Sequence, residues 1–346
     1  MRNALIAPSP TLPAALERDL EDLYLRGTPA NTLRAYERDL VYVAAWKQYA
    51  FGAELSWPET EEVALRFILD HSADLDATTP AGKAASAMIS SGLRRSLACP
   101  APSTLDRRIA SWRAFHRMRN LASPFEAPLV AQARQKARRA ADRPPAPKSA
   151  HPITRDVLND LLAVIGPSLR GMRDRAILTL GFASGGRRRS EIAGLMRADI
   201  SLEEFDAKGI VWIHLIETKT TRRSKTPKLI LKGRAARYLV AWIDAAKIED
   251  GPLFRPVSKS DRPLKRRLHP DAIRQIVKRR LRQAGLPEDY ASPHGLRSGF
   301  LTQAALDGAP IQAAMRLSLH RSVEQAMRYY DDVEITDNPA ADLLGD

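Results

Sequence analysis

A proline-rich segment divides this chain into two halves with different hydrophobic patterns. Residues 140–152 read Ala-Ala-Asp-Arg-Pro-Pro-Ala-Pro-Lys-Ser-Ala-His-Pro. Clustered prolines remove backbone hydrogen-bond donors and bias the chain toward extended conformations. Neither a helix nor a paired strand continues through such a segment. The chain length of 346 residues is enough for two hydrophobic cores. The segment therefore predicts a linker between two domains.

The half before the linker has apolar residues at helical spacing and predicts an all-helical bundle. The spaced positions are Leu16, Leu20, Leu23 and Tyr24, followed after a Thr-Pro break by Leu33, Tyr36, Leu40 and Val43. Asn31 or Thr28 is the expected N-cap of the second helix, and Ser103 that of a later helix. Four large aromatic residues are assigned to the core: Trp46, Trp57, Trp112 and Phe115.

The half after the linker combines helices with two strand signals. Apolar runs at 209–216 and 227–231 flank a polar, basic segment at 218–226, which predicts a β-hairpin. Helices are expected at about 153–162, 172–182, 233–246, 270–284, 295–307, 310–317 and 322–330. The predicted fold class is mainly α with a small β-sheet, the second domain being of the α+β type.

The charge of the chain points to a polyanionic partner. The formal net charge is +14, and the basic residues are spread over several segments instead of one tail. Phosphate contacts from many elements suit a protein that encircles a DNA duplex. The expected DNA-binding residues are Arg134, Lys136, Arg138 and Arg139 before the linker and Arg222, Arg223 and Lys225 in the hairpin turn.

The composition also indicates the cellular compartment of the protein. The single cysteine, Cys99, excludes an internal disulfide framework, and no apolar run is long enough for a membrane span or a secretory segment. We therefore expect a cytoplasmic protein with no membrane partner, associated with the nucleoid.

Residues able to act on a phosphodiester concentrate near the end of the chain. His294 and Arg297 lie one helical turn apart and can face one site. His320 and a pair of adjacent tyrosines follow, and an upstream segment, Gly-Arg-Arg-Arg-Ser-Glu at 186–191, places three arginines at a turn into a helix. These groups supply a phosphate clamp, proton-transfer groups and a nucleophile. Four histidines without motif context are expected at the surface or at interfaces: His116, His151, His214 and His269.

This ordered set resembles the tyrosine recombinase (phage integrase) family. The matching residues are Arg188 and Glu191 of its Gly-x-Arg-x-Ser-Glu box, Lys219 of its hairpin, His294 and Arg297 of its His-x-x-Arg box, His320 and Tyr329. The nine-residue spacing from His320 to Tyr329 is that of the family's second histidine and nucleophile. The resemblance is strong over 153–332 and looser before the linker, and the two-domain plan is similar to that of Cre- and Xer-like members.

The resemblance implies four regions and a clamp for the scissile phosphate. The regions are a flexible N-terminus (1–11), a helical, SAM-like core-binding domain (12–125), a basic helix with the proline-rich linker (126–151), and a catalytic domain with a C-terminal tail (152–346). Arg188 and Arg297 would bind the non-bridging phosphate oxygens and stabilise the transition state. His320 would hydrogen-bond the phosphate, and Glu191 would orient its neighbours.

The remaining roles concern the nucleophile. By resemblance, Tyr329 attacks the phosphorus, His294 takes its proton and a 3′-phosphotyrosine link forms. Lys219 would protonate the leaving 5′-oxygen, and the family's reaction needs no metal and no cofactor. Tyr330 is an adjacent competitor for the nucleophile, disfavoured by the spacing from His320.

Two positions depart from the family pattern. Leu319 stands where the family usually has a glycine that lets the backbone turn tightly, which affects the geometry expected for His320. Arg187 stands where an apolar residue usually precedes the catalytic arginine, so Arg187 and Arg189 remain alternatives to Arg188.

The predicted function is site-specific recombination or integration of double-stranded DNA. By resemblance, the protein would be a monomer in solution and a homotetramer on paired recombination sites. Two other functions are compatible with this resemblance, that of a type IB topoisomerase and that of a non-catalytic DNA-binding regulator on the same scaffold. The Cre-like plan disfavours the first, and the complete set of catalytic residues disfavours the second.

Overall fold

The structure, a computed structural model, describes residues 13–141, 148–215, 228–320 and 322–334. The chain separates into two compact units, Met1–Ala146 and Pro147–Asp346. The described part is mainly helical, with a small sheet in the second unit, so the predicted fold class is confirmed. Within the described residues, no helix has both the length and the apolar character needed to cross a membrane.

The first unit is a helical bundle. Its helices are α1 (Ala14–Gly27), α2 (Ala30–Phe51), α3 (Glu61–Leu69), α4 (Pro80–Ser90), α5 (Pro102–Met118) and α6 (Pro128–Ala140), with a 3-10 turn at Pro124–Glu126. Phe67 lies between Trp46 and Trp112, with edge-to-face centroid distances of 4.9 and 5.5 Å. Trp46, Trp112 and Phe115 are buried as predicted, whereas Trp57 is half-buried beneath the guanidinium of Arg119.

The predicted helix caps in this unit are wrong. Helix α2 begins directly after Pro29, so Thr28 precedes the helix and Asn31 lies inside its first turn. Helix α5 begins at Pro102, so Ser103 also lies inside the first turn. Pro29 itself occupies the cap position before α2, whereas Pro102 is the first residue of α5, where its fixed φ suits the first turn and its missing N–H has no partner to lose.

His116 is buried, which contradicts its expected place at the surface or an interface. Its Nδ1 lies 3.0 Å from the carbonyl oxygen of Trp112, and its Nε2 accepts from the amide of Glu59 at 3.3 Å. A neutral imidazole with both nitrogens hydrogen-bonded is compatible with burial. His151 and His269 are exposed.

Helix α6 falls in the region 126–151 predicted as a basic helix with the linker, but it packs against the other helices of the first unit. Its Val130 and Ala137 are buried in the same core as Trp46 and Trp112. The apolar face of the helix is therefore occupied by the bundle, and its basic residues lie on the remaining surface.

The second unit surrounds helix α8. Its helices are α7 (Arg155–Ala163), α8 (Leu169–Ala183), α9 (Arg189–Gly194), α10 (Phe205–Lys208), α11 (Gly233–Ala245), α12 (Pro270–Gln283), α13 (Gly295–Leu306), α14 (Ile311–Ser318) and α15 (Val323–Glu334). Helix α8 packs against α11 and α13 and is buried on several faces. Helix α15 extends four residues beyond its predicted end at 330.

The sheet is antiparallel with strand order β1 (Ile200–Ser201), β2 (Val211–His214) and β3 (Lys228–Leu231). Val211 pairs with Leu231 and His214 with Lys228, so the predicted strands do form an antiparallel pair. The polar segment between them, 216–227, lies outside the described residues. Strand β1 was not predicted, because two residues are too short for an alternating pattern.

A buried ion cluster joins α8 to α12. The carboxylate of Asp174 is fully buried and accepts hydrogen bonds from Arg173 at 2.8 Å, from Arg279 at 2.6 Å and from Arg280. Removing one partner of a buried ion pair leaves uncompensated charge in a low-dielectric interior. Asp174 therefore fixes α8, whose C-terminal end leads into the arginine triplet.

We expect Asp174→Asn to lower the free energy of unfolding by about 3–5 kcal/mol, because the arginines of this cluster lose their carboxylate. Chemical denaturation of the purified protein measures the change. The matched control is Asp307→Asn, which breaks the exposed Arg155–Asp307 pair and should cost less than about 1 kcal/mol. Equal losses in the two variants would contradict a structural role for Asp174.

Candidate active site

Two glycines bring the turn after α8 against two other helices. Gly185 and Gly186 have φ of 88° and 73°, in the left-handed region that glycine adopts readily. A Cβ at Gly186 would lie 2.2 Å from the Cα of Arg297, and one at Gly185 would lie 2.3 Å from the carbonyl carbon of Leu317. The turn therefore needs glycine for space as well as for conformation.

The three consecutive arginines after this turn have different surroundings. Arg187 is buried, with 3% of its surface exposed, and its Nη2 donates to the carbonyl of Leu317 at 2.8 Å. The side chain of Arg188 is 41% exposed and donates to Glu191 at 2.8 Å. Arg189 lies on the surface and pairs with Asp271 at 2.5 Å.

Glu191 is mostly buried and fixes the backbone as well as the side chain of Arg188. Its Oε1 accepts from the Arg188 guanidinium, and its Oε2 accepts from the Arg188 amide at 3.2 Å. A glutamate that reaches back to the residue before a helix stabilises the start of that helix. The same carboxylate lies 3.8 Å from Arg187, so it faces two guanidinium groups.

Arg297 lies on α13 at the centre of this group. Its Nη1 donates to the carbonyl of Gly186 at 3.2 Å, and its Nη2 lies 3.0–3.1 Å from the ring nitrogens of His320. Burial lowers the pKa of Arg297 to about 10, and the positive charges of Arg187 and Arg188 contribute. Arg297 is thus a buried cation with neutral hydrogen-bond partners and other cations nearby.

His320 follows a left-handed residue at the end of α14. Leu319 has φ 54° and ψ 37°, the conformation for which glycine is the usual residue. Ser318 is fully buried, and its hydroxyl lies 2.8 Å from Nδ1 of His320. Burial lowers the pKa of His320 to about 4, and the charge of Arg297 is the next contribution. The ring is neutral at pH 7 and can accept a hydrogen bond from Arg297.

His294 precedes α13 and is half-buried. Burial is the main reason that the pKa of His294 is lowered to about 4. The positive charges of Lys148, Arg297 and Arg188 lower the pKa further. A neutral imidazole at pH 7 has a free nitrogen lone pair, so His294 is in the protonation state that a general base requires.

The two adjacent tyrosines of α15 differ in environment. Tyr330 is buried, and its hydroxyl donates to the carbonyl of Ala309 at 3.0 Å. Tyr329 is partly buried and close enough to Arg297 to raise the pKa of that guanidinium. A rotation of about 100° per residue along a helix accounts for the different directions of the two side chains.

Other predicted residues belong to the first unit or lie outside the described residues. Lys219, Arg222, Arg223 and Lys225 are outside the described residues. On α6, Lys136 and Arg139 are exposed, while Arg134 and Arg138 pair with Asp106 at 2.7 and 3.3 Å. Among the described residues, no cluster of three or more His, Cys, Asp or Glu side chains could hold a metal ion.

Sequence reasoning missed three contributors to the site. The Ser318 hydroxyl contacts the ring of His320, and the charge of Lys148 lowers the pKa of His294. The backbone at Gly185 lies close against that of Leu317. Only Ser318 carried a signal, because it stands two residues before a motif histidine. The contacts of Lys148 and Gly185 join segments far apart in the chain.

A model of the phage integrase family matches residues 152–334. The chain belongs to the phage integrase family. The resemblance inferred from the motifs is thereby confirmed, and the match includes every residue of the group around Arg297.

Relatives of this integrase-family chain include Xer proteins. An integrase/recombinase XerD homolog of Selenomonas ruminantium is 26% identical over 345 residues, which cover 97% of this chain and 90% of the relative. Tyrosine recombinase XerD of Xanthomonas axonopodis pv. citri (strain 306) is 28% identical over 337 residues, covering 91% of this chain and 92% of the relative.

Solved structures share the fold. The Tn1549 transposon integrase in complex with a circular intermediate DNA has a TM-score of 0.56 at 16% identity, covering 91% of this chain and 94% of that one. A lambda integrase dimer bound to a COC' core site has a TM-score of 0.53 at 15% identity, covering 92% and 94%. At these identities the likeness establishes the integrase fold.

We expect Gly186→Ala to displace Arg297, because the new Cβ would overlap the backbone of α13. The left-handed φ adds a cost of about 1–2 kcal/mol, measurable as a lower free energy of unfolding. Gly194→Ala is the matched control, since a Cβ there meets nothing within 4 Å. A Gly186→Ala protein as stable as the wild type would contradict the tight contact.

We expect His294 and His320 to remain neutral in the free protein until the pH falls to about 4. Because their ordinary pKa is 6.5, the unfolded state binds more protons between pH 6.5 and 4. The free energy of unfolding of this unit should therefore decrease as the pH falls through that window. NMR titration of the ring signals measures both pKa values. Midpoints near pH 6.5 would contradict the burial argument.

Proposed function

We propose that this protein is a site-specific DNA recombinase that cleaves and rejoins DNA through a 3′-phosphotyrosine intermediate. The observation that carries the proposal is the buried Arg297, held between the Gly186 carbonyl and His320 and close to Tyr329. Arg188 and His294 also act on this site electrostatically. A phosphodiester is the anion whose chemistry uses all of these groups.

Arg188 and Arg297 form the phosphate clamp in this proposal. Arg297 is fixed by its hydrogen bonds, and the exposed end of Arg188 is accessible to a ligand. Arg187 is less suited to the clamp because its Nη2 is bound to the Leu317 carbonyl in the interior. Arg189 is less suited because it pairs with Asp271 at the surface. These contacts favour Arg188 among the three candidates.

Tyr329 is the proposed nucleophile. Its oxygen attacks phosphorus, its proton passes to neutral His294, and the bond to the 5′-oxygen breaks as the phosphotyrosine bond forms. The alternative, Tyr330, is buried with its hydroxyl bound to Ala309, which supports Tyr329. Lys219 is the proposed donor of a proton to the leaving 5′-oxygen. Attack by another 5′-hydroxyl reverses the steps, so no external energy source is needed.

DNA contacts outside the site are proposed for the basic residues of both units. Lys136 and Arg139 on α6 are exposed and available to backbone phosphates, whereas Arg134 and Arg138 share Asp106. The hairpin residues Arg222, Arg223 and Lys225 would add phosphate contacts. Structures with the same fold were solved with a circular intermediate DNA and with a core site, which supports DNA binding here.

Assembly and location follow from the same proposal. Recombination joins strands from two duplexes, and one active site per strand requires four subunits on paired sites. We infer a monomer that assembles into a homotetramer on DNA and associates with the nucleoid in the cytoplasm. The topoisomerase and regulator alternatives are disfavoured, because the relatives are Xer-type recombinases.

The nucleophile is tested with nicked duplexes, which trap the covalent intermediate because the short cleaved strand diffuses away. Fragments from the protein's own genetic neighbourhood supply candidate sites. Denaturing gels should show a protein–DNA adduct for the wild type and for Tyr330→Phe, and none for Tyr329→Phe, which lacks only the attacking oxygen. Gel-shift binding should be the same for all three proteins.

Each result has a distinct meaning. An adduct lost only in Tyr330→Phe would transfer the nucleophile to that residue and overturn the assignment of Tyr329. Binding of a defined site by the wild type without any adduct would favour the non-catalytic regulator.

A further inference from the structure

Two unusual residues, Arg187 and Leu319, lie together in this fold. Arg187 is an arginine with only 3% of its surface exposed, and Leu319 is a leucine with a left-handed backbone. The Arg187 guanidinium donates to the carbonyl of Leu317, two residues before Leu319. The two unusual residues therefore act on the same turn.

Leu319 holds a conformation that a leucine side chain disfavours. At φ 54° its Cβ is crowded by the following carbonyl, a clash that glycine does not have. The surroundings must therefore hold this turn in place. Leu319 packs against the core, but that contact alone does not require a left-handed backbone.

Arg187 supplies the missing restraint. The last carbonyls of a helix lack partners within the helix, and a cation near them also interacts favourably with the helix dipole. At 2.8 Å, Arg187 binds one such carbonyl of α14, and its own amide donates to Gly181 at 2.9 Å. Because Arg187 is buried and anchored on α8, it restrains Leu317 directly.

The restrained turn carries His320. Ser318, next to Leu317, contacts Nδ1 of His320, and Arg297 contacts the same ring. We propose that Arg187 is a positioning residue for His320, holding through Leu317 a left-handed turn that a glycine at position 319 would hold unaided. This inference rests on the proposed role of His320 at the scissile phosphate.

Arg187 can also act directly through its charge, and the two effects are separable. Its positive charge acts on Arg297 and on His320. A charge effect on the phosphate is independent of the residue at 319. A restraint on the turn becomes less important once residue 319 accepts the left-handed conformation. The interaction between positions 187 and 319 therefore distinguishes them.

The test is a double-mutant cycle with Arg187→Met, Leu319→Gly and the double variant. With Leu319 present, Arg187→Met should lower the single-turnover rate of adduct formation on nicked DNA roughly tenfold or more, because His320 is misplaced. In the Leu319→Gly background, the same change should cost less than about threefold. The affinity for DNA should change little in all four proteins, so the loss appears in the rate.

A second readout does not depend on catalysis. NMR titration of His320 should show its pKa rising when Arg187→Met is made beside Leu319, as the ring leaves its buried position. In the Leu319→Gly background the rise should be smaller. If the wild type forms no adduct, the proposed function fails, while this titration still decides whether Arg187 positions His320.

Equal effects of Arg187→Met in both backgrounds, on the rate and on the His320 pKa, would overturn the proposal in favour of a charge effect. Arg170→Met is the matched control, because Arg170 also donates to carbonyls, those of Val257 and Ser258. It should show no interaction with position 319. If a first variant fails to fold, Arg187→Leu and Leu319→Asn form a second cycle, since Asn also tolerates left-handed φ.

Discussion

The site depends on a buried guanidinium that has hydrogen-bond partners but little compensating charge. Arg297 is bound by the Gly186 carbonyl and His320, both neutral, and the positive charges of Arg187 and Arg188 act on it. Burying a cation in this way is unfavourable, as its lowered pKa of about 10 indicates. In the proposed function, the scissile phosphate would supply negative charge at this position. On that proposal, the unfavourable arrangement in the free protein prepares the site for an anion.

The second unit contains another buried arginine group that illustrates the difference. Arg173, Arg279 and Arg280 converge on the buried carboxylate of Asp174, which ties α8 to α12. Around Arg297, the nearby carboxylate is Glu191, which is bound to Arg188. In the first group one carboxylate is hydrogen-bonded to all three arginines, whereas in the second the Glu191 carboxylate is hydrogen-bonded to Arg188 and Arg297 donates to neutral groups. The first group therefore holds the scaffold together, and the second is the proposed phosphate-binding site.

Close backbone contact makes this arrangement possible. The pair Gly185-Gly186 allows the turn after α8 to touch both Leu317 and Arg297, which belong to helices more than a hundred residues later in the chain. The turn and the end of α14 then share the Arg187 hydrogen bond, and His320 follows directly. Arg297 and His320 are consequently held by backbone that side chains or glycines lock in place, which would limit reorganisation in the proposed reaction.

The sequence by itself determined the division at the linker, the helical first unit, the hairpin strands and the family, because periodicity, proline clusters and motif order are local or linear properties. The predicted caps of α2 and α5 and the predicted exposure of His116 are wrong, because proline geometry and tertiary packing override simple residue preference. Only the tertiary structure decided the different surroundings of Arg187, Arg188 and Arg189, and of Tyr329 and Tyr330. Neighbouring residues share their sequence context, and only packing determines which side chain is buried.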